Sequence, residues 1–159
     1  MRQLWAPWRL EYVQGADEEG GCVFCRAAAA DDDAGLVVYR GECAFVVLNK
    51  YPYASGHLMV APFRHEGEFG AMSGDEALEI HRLAALSLGA LMDSMQPQGF
   101  NLGWNLGRIA GAGVVDHVHL HVVPRWAGDT NFMPLLADVK VIPEALVETR
   151  RKLAHAWPR

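Results

Sequence analysis

Short apolar blocks separated by turn-forming residues dominate the first third of the chain. Leu36-Val37-Val38-Tyr39 ends at Arg40-Gly41-Glu42, and Ala44 to Leu48 follows closely enough to form a hairpin with it. Tyr51 to Gly56 carries Pro52 and a Ser-Gly pair and reads as a turn. His57 to Ala61 is a third strand, closed by Pro62. The period then changes. Ser73, with Glu76 three residues on, is a capping-box signature. Ile80, Leu83, Ala84, Leu88, Leu91 and Met95 recur behind it at helical spacing until Pro97. Gly99 to Leu106 and Val115 to Val123 read as two more strands, joined by the Gly-rich segment 107–113. Residues 143–157 read as a terminal helix with Pro143 at its start. Residues 14–35 read as loop, with a short helical turn through Ala27 to Ala30.

Five strands with a helix between the third and fourth predict an α+β fold: a five-stranded antiparallel sheet with two main helices. A length of 159 residues fits one domain over 1–159, residues 1–34 forming its N-terminal segment. The net charge is -5 with no block of Lys or Arg, so neither nucleic acid nor an anionic membrane is an expected partner. No apolar run approaches the roughly 20 residues of a membrane span. Met1 to Leu10 lacks the apolar core and cleavage site of a signal peptide, so a cytoplasmic location is expected. Three cysteines are too few for a secreted disulfide scaffold. Cys43, inside an apolar run, is expected to be a small core residue.

Two patterns carry chemistry. Residues 117–123 read His-Val-His-Leu-His-Val-Val, and in a strand alternate side chains share a face. His117, His119 and His121 are therefore expected on one side, with Val118, Leu120 and Val122 in a core. Such a row offers a metal site, a proton relay or a nucleophile with helpers. A site built from all three on one metal is awkward, since residues two apart lie roughly 6.6 Å apart along a strand. Beside them, the glycines at 103, 107, 111 and 113 suggest a loop whose amides could cradle an anion. Phosphate held locally by such dipoles would suit an acidic protein. The second pattern is Cys22-Val23-Phe24-Cys25, which by itself fits redox, metal-binding or incidental readings alike.

The segment His117 to Val123 resembles the histidine-triad motif, and the resemblance runs through most of the chain. Leu48-Asn49 and Gly56 to Pro62 are similar to the upstream nucleotide-binding segment, Asn105 and the glycines after it to the phosphate loop. The start WAPWR, the stretch PRWAGDTNFMP and the KVIPE helix are similar to bacterial diadenosine tetraphosphate phosphorylase-like and hydrolase-like members. The CxxC resembles the zinc-carrying members. One departure is Gly111-Ala112-Gly113, where those phosphorylases carry Gly-Gly-Ser and hence a hydroxyl for phosphate.

The resemblance implies a two-fold homodimer and cleavage of adenosine polyphosphates such as diadenosine tetraphosphate through a covalent nucleotidyl-histidine. Water or phosphate would be the acceptor. His119 matches the nucleophile, and His121 and His57 match phosphate-contacting positions. Asn49, with Val47 beside it, matches the ribose-binding stretch. Asn105, Gly111, Ala112 and Gly113 match the phosphate loop, and Trp126 a tryptophan near the polyphosphate. Cys22, Cys25, His65 and His117 match the ligands of a structural zinc, and a divalent cation could accompany the nucleotide. The competing readings are a nucleotide-binding regulator with negligible turnover and a metal-binding protein.

Overall fold

The computed structural model describes residues 21–129 and 144–158. Its elements are α1 (Val23–Ala29), β1 (Val37–Arg40), β2 (Ala44–Leu48), β3 (Leu58–Pro62), α2 (Gly74–Met95), β4 (Gly99–Trp104), β5 (Leu120–Arg125) and α3 (Leu146–His155). The five strands form one antiparallel sheet in the order β1-β2-β3-β5-β4. The expected strands and central helix are therefore present, with boundaries moved by a few residues. The short turn expected at Ala27 to Ala30 is a two-turn helix that starts earlier, at Val23. The last helix begins at Leu146; Pro143, its expected start, lies outside the described residues.

Alternation along the strands divides their side chains between two cores. Ala44, Val46 and Leu48 on β2, Leu58 and Val60 on β3, and Leu120 and Val122 on β5 pack against α2 and α3. Phe45 and Val47 on β2, with Met59 and Ala61 on β3, pack beneath α1 with Phe24 and Ala27. The sheet is thus covered on both faces, and β2 and β3 are apolar throughout. His121 pairs across from Met59, which places it on the α1 face.

β5 is shorter than the sequence implies. It begins at Leu120, so His117 and His119 precede it rather than lie within it. Pairing with β3 runs only as far as Val60↔Leu120; continued in register it would reach Ala61↔His119 and then Pro62↔Val118, where Pro62 has no N–H to donate. The Pro62 carbonyl instead receives the His117 ring, and the Val118 N–H donates to the Glu66 carbonyl. The strand's place is taken by a segment pinned through a side chain.

Two carboxylates on α2 organise its surroundings. Glu79 accepts the N–H groups of Glu42, Cys43 and Ala44, closing the β1–β2 hairpin. A Cβ at Gly41 would fall 2.5 Å from Glu79 Oε1 and 2.9 Å from the Ala44 carbonyl oxygen, so a side chain there would displace this carboxylate. Cys43 is half-buried against this carboxylate rather than in the core as expected. Burial and then Glu79 push its thiol up to about 12. Glu76 closes the predicted capping box with Ser73 and accepts both arms of Arg64. Arg64 and then the Ser73 N–H hold its carboxyl down to about 2, against the opposing effect of burial.

A carboxyl lowered in the folded state stabilises above its unfolded value of about 4.3 and loses that contribution as pH falls towards 2. Glu76→Gln should therefore lower stability at pH 7 by about 2 kcal/mol, with the half-exposed Arg64 limiting the effect. The gap from the unmodified protein should shrink below about pH 4. Thermal melts from pH 7 to pH 3 check this; a constant gap would show that Glu76 does not titrate with folding.

Candidate functional site

Beside α1 the structure gathers five histidines and two cysteines. His117 and His119 come from the approach to β5, His121 from the strand itself, and His57 from the turn before β3. These four are buried, His57 and His117 completely. The turn that delivers His57 is held by its own carbonyl, which accepts the Asn49 N–H. Gly56 precedes it at φ +76°, where a side chain would also meet Met95 Sδ.

The hydrogen bonds fix the imidazole tautomers in their neutral state. His119 Nδ1 lies 2.8 Å from the His117 carbonyl, which can only accept, so Nδ1 carries the proton and Nε2 keeps a lone pair. The Tyr53 N–H donates to His57 Nδ1 at 3.0 Å, which places the His57 proton on Nε2. That nitrogen faces His121 Nδ1 at 2.9 Å, so His121 carries its own proton on Nε2; the Asn105 Nδ2 at 3.4 Å, itself a donor, does not accept it. Burial draws the His119 pKa below its usual value; the bond to the His117 carbonyl opposes this and the His117 charge adds to it. A neutral ring with an open Nε2 is the form available near pH 7.

The second centre adjoins the first. Cys22 Sγ lies 3.3 Å and Cys25 Sγ 3.7 Å from His117 Nδ1, and Cys25 Sγ lies 3.4 Å from His65 Nδ1. All four donor atoms lie within 4.8 Å of one another. Bonds of about 2.3 Å to sulfur and 2.0–2.1 Å to nitrogen set tetrahedral edges of roughly 3.3–3.8 Å, so these residues could hold a metal with little movement. Burial would raise the Cys22 thiol, but the His117 hydrogen bond, the Cys25 amide and the His117 charge bring it down to about 6. Burial and the neighbouring Cys22 raise Cys25. His117 Nε2–H donates to the Pro62 carbonyl, leaving Nδ1 as the ligand atom.

Not every expected residue meets these centres. Asn49 is buried against His57, with Nδ2 at 3.3 Å from His57 Nδ1 and Oδ1 accepting the Tyr51 N–H, so its amide orients the turn. Val47 lies in the core under α1. Asn105 Nδ2 sits 3.4 Å from His121 Nε2 and 3.5 Å from the Gly111 carbonyl. The loop between β4 and β5 does not present the expected amide cradle at Gly111 and Ala112. Gly107 and Gly111, at φ +84° and +91°, bracket a tight 3-10 turn over Arg108–Ala110. The Gly111 and Ala112 N–H groups donate to the Arg108 and Gly107 carbonyls, and Ala112 is buried. Trp126 directly follows β5, and its N–H donates to the Asp129 carboxylate.

Two aromatic residues were not expected. The Tyr53 ring lies 4.7 Å from His57 and 5.8 Å from His121. The Phe24 ring lies 4.6 Å from His119 and 5.1 Å from His117. Phe24 sits inside the CxxC and could have been sought there; nothing in the pattern around Pro52 marks Tyr53.

Residues 32–128 match the HIT domain family. A protein of Mycobacterium tuberculosis named AP-4-A phosphorylase is 39% identical over 167 residues, covering 100% of this chain and 86% of the relative. A hypothetical histidine triad nucleotide-binding protein of Sulfolobus tokodaii superposes with a TM-score of 0.68 at 25% identity, over 85% of this chain and 91% of that one. A Zn-bound histidine triad family protein of Mycobacterium smegmatis gives 0.66 at 26% identity, over 86% and 92%.

Proposed function

The chain belongs to the HIT domain family, and on that premise we propose that it is a nucleotidyl hydrolase or transferase acting on adenosine polyphosphates such as diadenosine tetraphosphate. The relative named AP-4-A phosphorylase, similar over the whole chain, supports this substrate class. The observation that carries the mechanism is the 2.8 Å bond from His119 Nδ1–H to the His117 carbonyl. It leaves the Nε2 lone pair as the nucleophile.

In the first step that lone pair attacks the α-phosphorus, a P–N bond forms, and the P–O bond to the departing polyphosphate breaks with its electron pair. His121 Nε2–H, oriented through His57 and the Tyr53 amide, would hydrogen-bond the leaving oxygen and stabilise its charge without giving up its proton. In the second step water or inorganic phosphate attacks the same phosphorus, and the P–N bond returns its pair to Nε2. Water gives a hydrolase, phosphate a phosphorylase. His119→Ala should lower turnover of diadenosine tetraphosphate by at least roughly a thousandfold while leaving nucleotide binding largely intact. Chromatography of products formed with and without phosphate measures the loss and identifies the acceptor; near-normal turnover would refute the mechanism.

The metal at the second centre is proposed to be zinc. Two thiolates and two imidazoles suit zinc, and four protein ligands leave no open position for a catalytic water, so its role would be structural. The Zn-bound relative of similar fold supports this. Elemental analysis of protein purified without added metal should give one zinc per chain. Cys22→Ser should reduce that content and lower the melting temperature by roughly 5 °C or more. Absence of zinc with an unchanged melting point would leave the cysteines an ordinary reduced pair.

A two-fold homodimer is also proposed. β4 lies at the edge of the sheet, its residues Asn101 to Gly103 are exposed, and Leu102 is 48% exposed. Gly99–Trp104 contains none of the charges or prolines that blunt a free edge. Leu102→Lys should shift sedimentation at micromolar concentration from dimer to monomer. A monomer in the unmodified protein would exclude the assembly.

A further inference from the structure

The CxxC carries more than donor atoms. Between its cysteines stands Phe24, 2% exposed, whose ring contacts both His117 and His119. Its plane is tilted 37° to that of His119, with 4.6 Å between centroids. His121 also meets the His119 ring, edge-on at 4.9 Å. The ring thus touches Phe24 and His121 while Nδ1 reaches the His117 carbonyl. Rotation away from these contacts would break the bond that keeps Nε2 unprotonated.

We infer that Phe24 is a positioning residue for His119, and that the metal centre keeps it in place by holding both ends of the Cys22–Cys25 turn. This rests on the reading of His119 as the nucleophile. α1 has only seven residues and no side-chain cap at its start, so helix propensity alone holds Phe24 weakly. Ligation of Cys22 and Cys25 would clamp the segment on each side of it. His117 joins the same unit twice, through its ring beside the cysteines and its carbonyl on His119. Metal occupancy would then reach the reaction through packing and hydrogen-bond geometry, without contact between metal and substrate.

The test compares Phe24→Leu with Phe45→Leu in zinc-loaded protein. Both changes remove a buried ring from the same core cluster, but Phe45 stacks on Phe63. Phe24→Leu should lower kcat by about ten- to a hundredfold, the scale of a misplaced reacting group, with KM changed by less than about twofold. Its His119 Nδ1–H resonance should broaden or vanish in imidazole nitrogen–proton correlation spectra. Phe45→Leu should leave kcat and that resonance unchanged. Equal behaviour of the two variants would overturn the proposal. Should Phe24→Leu not fold, the native protein decides: stripping zinc with a chelator should broaden the His119 signal and re-adding zinc restore it. An unchanged spectrum would overturn the proposal. His119→Ala is assayed alongside; full turnover there would instead sink the nucleophile reading itself.

Discussion

The geometry of the site depends on one residue, His117, whose ring and backbone face different neighbours. The ring lies between the Pro62 carbonyl on Nε2 and the two cysteines on Nδ1. The backbone carbonyl, on the other side of the same residue, accepts the His119 proton. Because this segment precedes β5, ladder bonds do not set its path. Side-chain bonds and the Val118–Glu66 amide contact take over that task. A substitution at His117 would therefore disturb the metal ligands, the strand approach and the nucleophile's tautomer together, and loss of function there could not be assigned to one of them alone.

Why such a site is buried follows from the sheet. β2 and β3 need cover on both faces, since their side chains are apolar in both directions. Helices α2 and α3 supply one cover. The other is α1, which has seven residues and leaves room for side chains from the loops. Imidazoles fill that space, and burial draws the pKa of His119 below its usual value. Burial thus serves packing and reactivity together: a protonated, solvent-exposed triad would have neither the lone pair nor the ordered hydrogen-bond chain.

The features legible in the sequence were those written by local rules. Strand blocks, the Ser73–Glu76 capping box, the histidine spacing and the CxxC all follow from periods of two to four residues. The joining of Cys22 and Cys25 to His65 and His117 came only through resemblance, because a separation of 92 residues between Cys25 and His117 carries no periodic signal. What escaped reading was set by tertiary competition. Strand alternation assigned His117 and His119 to β5, but the ladder with β3 stops at Leu120 and the Pro62 carbonyl takes the His117 ring instead. Glycine spacing suggested free amides, whereas positive φ at Gly107 and Gly111 folds the loop onto itself. Cys43 lay in an apolar run yet faces the Glu79 carboxylate. Tyr53 acts on the histidines through its backbone N–H, a group every residue but proline has, so its identity could not advertise it.

The acidic chain poses a last physical problem, since its proposed substrate is itself anionic. A net charge of -5 opposes approach only at long range, where a Debye length of about 8 Å at physiological ionic strength already screens it. Inside the site the sign of the nearest donor matters more. The Gly111 and Ala112 amides are committed to loop carbonyls, so they cannot supply that donor without rearrangement. The histidine chain can. With the Tyr53 amide fixing His57 and His57 fixing His121, a neutral ring presents N–H at Nε2, while the His117 carbonyl makes its neighbour His119 present a lone pair. Two adjacent imidazoles of identical chemistry are thereby given opposite roles, donor and nucleophile, by the backbone group each chain of hydrogen bonds ends on. No buried cation has to be maintained before substrate arrives, which is what an acidic, largely apolar sheet can accommodate.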